Sequence, residues 1–152
     1  MDNFCSYFTL ERRVFLENVS YETLGVPNTD VKARRLGCRD TVIAQLILPA
    51  GVKIVFNRRL SFEPEAHFTL SVSFGVFMLF DRESGADDVD WKCVNIVEEF
   101  TKSCPAVLAD LSARTALLVA QITSASGGTP LIAAAPTPMP PTHANQSPDS
   151  DS

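Results

Sequence analysis

The chain has little of what enzymes and metal proteins are usually built from. Its 152 residues include 2 histidines and 4 cysteines. His67 and His143 are far apart, and His143 lies in a polar tail, so neither a metal site nor a Cys-His dyad has a spacing to rest on. Cys5, Cys38, Cys93 and Cys104 are scattered too widely for a metal knuckle or a redox motif. In a cytoplasmic protein they read as small buried hydrophobes. No glycine-rich phosphate loop and no serine elbow is present. These absences argue against an enzyme, a cofactor and a metal.

Positive charge is also scarce. Against 18 acidic side chains stand 13 basic ones, a net charge of -5, which argues against nucleic acid or anionic lipid as a partner. The longest strongly apolar stretches fall short of the ~20 residues a membrane helix needs, so no membrane insertion is expected. Met1-Asp2-Asn3-Phe4-Cys5 has neither a basic nor an apolar leader region. The expected location is the cytoplasm. A composition of 45% hydrophobic and 20% charged residues fits one soluble domain.

What is present is pattern. Alternation from Phe8 to Tyr21 reads as a long strand, and its change of parity midway asks for a bulge that switches faces. Gly25-Val26-Pro27-Asn28 is turn chemistry, and Thr29 to Arg39 reads as a polar, basic connection. Second and third strands follow at about Thr41–Leu48 and Val52–Phe62. The clearest element is the fourth, His67 to Phe80, in which Phe68, Leu70, Val72, Phe74, Val76, Met78 and Phe80 form one apolar face. Asp87, Asp88 or Asp90 is placed to cap a helix whose stripe is Trp91, Val94, Val97, Phe100 and Cys104. Pro105 must kink or restart that helix. From Pro105 to about Ser124 it is apolar almost all round, so something beyond one four-stranded sheet has to cover it. Ser126-Gly127-Gly128 stops it. Residues 1–139 therefore read as one α+β domain, with a four-stranded antiparallel sheet packed on a long broken helix. Residues 140–152 read as a disordered Pro/Ser/Asp tail.

Several short segments in this order resemble the SecB export-chaperone family. Ser103-Cys104-Pro105-Ala106-Val107-Leu108 followed by Ala113-Arg114 is similar to its helical Cys-Pro-x-aliphatic-Leu and aromatic-Ala-Arg segments. Gly127-Gly128-Thr129-Pro130 and Pro136 keep its Gly…Pro-x5-Pro spacing. Val19-Ser20-Tyr21-Glu22 resembles its first strand, and Gly75-Val76-Phe77 its fourth. The departures are a helical segment one residue longer without its proline and aromatic, Pro136-Thr137-Pro138-Met139 in place of Pro-Val-Asn-Phe, and no C-terminal helix after Pro140-Pro141. Glu22 fits one acidic contact for the motor SecA, but Asn18 replaces another and Leu70-Ser71 carries none, which weakens the case for SecA.

The resemblance implies a homotetramer built as a dimer of dimers. It implies an ATP-independent holdase that binds unfolded polypeptides, for export or for a dedicated partner such as an antitoxin. Aromatic and aliphatic side chains on strand faces suit such binding, because it needs apolar area and no fixed register. Phe15, Val19, Tyr21, Phe77 and Leu79 are the client-binding candidates. Leu111, Leu118 and Ile122 are expected in a layer between subunits. The doublets Arg12-Arg13, Arg34-Arg35 and Arg58-Arg59 read as solvated positions, or as attraction for acidic segments. The alternative is a small-ligand-binding or enzymatic α+β domain whose apolar strand face lines a pocket.

Overall fold

The computed structural model of the chain describes residues 3–23, 35–63, 68–125 and 145–146. After a 3-10 turn at Phe4–Tyr7 come β1 (Phe8–Thr23), β2 (Arg35–Ile47), β3 (Gly51–Glu63) and β4 (Phe68–Phe80). Two further 3-10 turns, Ala86–Asp88 and Trp91–Cys93, lead to helices α1 (Ile96–Ser103) and α2 (Pro105–Ala125). The fold is α+β. β2, β3 and β4 form an antiparallel meander, and β1 returns to pair with β4, so the order is β1-β4-β3-β2. Asn145–Gln146 adds a short parallel strand, β5, beside Ala44 and Gln45 of β2. Two residues of the expected disordered tail are thus paired. The remaining residues of 140–152 lie outside the described residues, as do the segments 24–34 and 126–139 with their turn, connection and Gly-Pro motif.

The expected parity change in β1 is a bulge. Leu16 faces Phe74 and Asn18 faces Ser73, so Glu17 is the extra residue. Before the bulge Arg12, Val14 and Leu16 share the face of Met78, Val76 and Phe74; after it Val19 and Tyr21 share the face of Val72 and Leu70. One side of β1 therefore stays with the helix side of the sheet along its whole length. β2 begins earlier than the sequence suggests, because Arg35 to Asp40 pair in unbroken register with Glu63 to Arg58.

Both helices lie on one side of the sheet. The helix side is packed in two clusters. The larger gathers Phe4, Phe8, Ala44, Val52, Ile54, Phe56, Val76 and Met78 under Trp91, Ile96, Phe100, Val107 and Leu111. Trp91 meets Phe4, Tyr7, Phe8 and Phe80 at ring-centroid distances of 4.8 to 6.2 Å, and its Nε1 donates to the Ala86 carbonyl at 2.8 Å. The smaller cluster joins Leu60, Leu70, Val72 and Val119, flanked by half-buried Phe68, Phe74, Leu118 and Ile122.

Asp90 accepts from the Lys92 amide and caps only the 3-10 turn. The cap of α1 is Asn95, whose Oδ1 accepts from the Glu98 amide at 3.4 Å while its Nδ2 donates back to Glu98 Oε2 at 3.2 Å. Pro105 restarts the helix at its first position, where a missing amide proton costs nothing.

The buried side of α2 is Val107, Leu111, Ser112, Thr115, Val119 and Thr123. Thr115 and Thr123 turn their hydroxyls back onto the carbonyls of Leu111 and Val119, both at 2.8 Å, so polar residues enter the core with their donors used. Leu111 is fully buried among its own subunit's residues. That leaves it no surface for a second copy and corrects its expected place between subunits. The leucine that α2 turns outward is Leu117, 63% exposed.

Candidate functional site

α2 crosses β4 and β3 and stops short of covering β1. The helix-side residues of β1 beyond its midpoint are therefore bare, with Leu16 51% exposed, Val19 39% and Tyr21 37%. Tyr21 stacks on Phe68 at 5.4 Å and 26°, and Phe68 meets Phe62 edge-on at 5.4 Å. These rings, Leu16 and Val19 make an apolar shelf along the β1 edge. Across the sheet, Leu36 on β2 is also exposed on the helix side, opposite Phe62.

Phe15, Phe77 and Leu79 occupy the other side of the sheet, where no helix of the described residues packs. The five client-binding candidates therefore divide between two faces. Phe15 lies over Gly75: a side chain at position 75 would come within 2.5 Å of the Phe15 ring, so glycine is required to seat it. Phe77 flanks the ring at 6.4 Å between centroids. Lys53 Nζ stands 5.6 Å from the centre of the Phe15 ring and binds Glu17 at 2.7 Å, tying the bulge residue to β3. Beside them Asn57 Nδ2 donates to the hydroxyls of Ser71 and Ser73 at 2.8 and 2.6 Å. Phe15 and Phe77 are thus half-buried in a locked, mixed surface, while Leu79 is 38% exposed at the strand end. Glu22, opposite Thr69, is exposed on this same side.

Leu118 and Ile122 are half-buried against the smaller cluster. Leu16 and Leu117 are not among the site residues expected from the sequence. Leu16 sits one residue before the bulge, and Leu117 is one of many leucines on an apolar helix, so neither carried a local signal.

Arg58 is a further correction. It is 1% exposed, on the helix side of β3, where it grips Asp40 with two hydrogen bonds, Nε–Oδ1 at 2.8 Å and Nη2–Oδ2 at 2.9 Å. Its pKa is raised, chiefly by that hydrogen bonding. Arg59, its sequence neighbour, is exposed, and Arg34 lies outside the described residues.

Among the described residues no group of three or more His, Cys, Asp or Glu is placed to hold a metal ion. A cleft of about 230 Å³ opens between Leu48, Pro49, Phe80, Trp91 and the 3-10 turns, with Asp87, Asp90 and Lys92 at its rim. By length and mean hydropathy, 1.3, α2 is long and apolar enough to cross a membrane, which the sequence reading of shorter apolar stretches did not anticipate. Only 33% of its most apolar window is buried within the subunit.

No protein-family model and no curated protein matches this sequence. Among solved structures, the chain resembles the Mycobacterium tuberculosis Rv1957 SecB-like chaperone in complex with a ChAD peptide from the Rv1956 HigA1 antitoxin. The two superpose with a TM-score of 0.54 over 82% of this chain and 89% of that one, at 11% identity. The fold is SecB-like. The chaperone of that complex holds a peptide from another protein, an antitoxin.

Proposed function

We propose that this protein is a cytoplasmic, ATP-independent holdase that keeps unfolded polypeptides from aggregating, for export or for a dedicated partner such as an antitoxin. The observation that carries the reading is the row of exposed apolar side chains, Leu16, Val19 and Tyr21, on the uncovered edge of a SecB-like fold. Such a row on a solitary subunit is a liability for aggregation, and it persists where other chains are meant to cover it. Among the described residues β1 is also an edge strand, and an edge is where an extended segment can join a sheet.

Two occupants share the exposed surface in this proposal. A second copy covers α2 around Leu117, Leu118 and Ile122, giving a homo-oligomer of the dimer-of-dimers kind. Protein rather than lipid is the fitting cover, because the Asp110–Arg114 ion pair stands exposed on the same helix. Clients take Val19 and Tyr21 with Leu16, while Phe15 and Phe77 serve mainly to stiffen the opposite face and Leu79 offers a minor contact there.

The test is suppression of aggregation of an unrelated denatured protein at near-stoichiometric ratio, without nucleotide, alongside a native mass measurement. The proposal predicts suppression by an oligomer. A monomer indifferent to denatured protein, or one that acts on a small ligand instead, contradicts it.

A further inference from the structure

The four cysteines do not behave as one class. Cys38 and Cys93 are exposed, Cys104 is buried, and Cys5 is half-buried. Cys5 and Cys104, 99 positions apart in sequence, meet with their Sγ atoms 2.6 Å apart. A disulfide bond is ~2.05 Å long, so the pair needs only a small approach to be joined. The Cys5 thiol also lies 3.3 Å from the Ser103 carbonyl. Cys104 is the single residue between α1 and α2, with φ -126° and ψ 49°, and Cys5 sits in the 3-10 turn that opens the chain.

We propose that Cys5 and Cys104 are a redox modification site, oxidised by hydrogen peroxide to a disulfide that staples the N-terminal turn to the junction of the two helices. The half-buried Cys5 meets the oxidant. Its sulfur attacks the peroxide, the O–O bond breaks, and Cys5 becomes a sulfenic acid with release of water. The Cys104 sulfur then attacks the Cys5 sulfur and the S–O bond breaks. The Cys104 proton leaves with the hydroxyl as a second water, so two thiols lose two electrons to one peroxide. Cys104 is placed for this second role by its contact with the Cys5 sulfur. Burial foremost, and the Cys5 sulfur beside it, push its pKa up to about 12, so it stays protonated and is not itself the site of peroxide attack; it attacks only as its proton passes to the sulfenic hydroxyl. The staple fixes the point from which α2 departs across β3 and β4.

The experiment treats the reduced full chain with hydrogen peroxide and maps it by tryptic mass spectrometry without reductant. The inference predicts residues 1–12 joined to residues 103–114, reversed by dithiothreitol. It also predicts a melting temperature raised by about 10 °C on oxidation, since the bond closes a loop of roughly 100 residues. The rise disappears in Cys5→Ser, which leaves the buried Cys104 in place, and persists when Cys38 and Cys93 are both serine. A link through Cys38 or Cys93, or peroxide treatment that leaves Cys104 a free thiol while Cys5 is over-oxidised, overturns the inference. None of these readouts depends on chaperone activity.

Discussion

On the helix side of the sheet, the end near Trp91 is closed and the end near Tyr21 is open. At the closed end the 3-10 turns, α1 and the start of α2 bury Phe4, Ile96, Phe100 and Met78 completely. At the open end the same strands run on, yet the fully covered residues are few, and Leu16, Val19, Tyr21 and Leu36 remain exposed. The strands are more polar at the open end, where Asp40 and Arg58 pair on the helix side, yet Leu16, Val19, Tyr21 and Leu36 lie there too. These four stay exposed because α2 lies over β4 and β3 and leaves β1 and the start of β2 uncovered. A patterned sheet tells which residues seek cover; the path of the helices decides which of them find it within one subunit.

Mutations should separate the two ends. Phe100→Ala at the closed end removes a fully buried ring and is expected to cost about 4 kcal/mol in urea unfolding. Asp40→Ala leaves the Arg58 guanidinium buried without its partner and is expected to cost about 3 kcal/mol. Replacing both, as Asp40→Leu with Arg58→Met, should recover most of that loss, because the pair then leaves no charge behind. Tyr21→Ser at the open end should cost no more than about 1 kcal/mol, since the ring is part-exposed. It should nevertheless weaken suppression of client aggregation several-fold. A Tyr21 variant as unstable as the Phe100 variant would erase the distinction between the ends.

Much of the strand pattern was legible. The unbroken apolar face of β4 and the parity change of β1 both follow from period-two alternation, and the bulge at Glu17 lies where that change demands it. Hidden features needed distant partners. Arg35 to Arg39 look like a connection until β3 supplies a strand to pair with. Arg58 looks solvated until Asp40, 18 positions away, neutralises it. Thr115 and Thr123 look like breaks in an apolar helix until their hydroxyls bond the preceding turn. The candidate site was half legible: Val19 and Tyr21 were named, but their separation from Phe15 and Phe77 onto opposite faces follows from pairing the bulged strand with β4, and that pairing lies in no single segment.

A further expected effect concerns pH at the closed end. Cys104 is held as a neutral thiol in the folded state, with its pKa raised from 9.0 to about 12 by burial. Its contribution to stability is therefore complete below pH 9 and is lost as pH rises toward 12, because the unfolded chain ionises first. Reduced wild type and Cys104→Ala, melted between pH 8 and 11, should differ in slope, with the wild type falling more steeply.

Hydrogen exchange with and without an unfolded client tests the open end most directly. The account predicts that client slows exchange of the amides in residues 16–23, with those of 91–103 unchanged. Protection confined to 91–103, or none anywhere at saturating client, would contradict it.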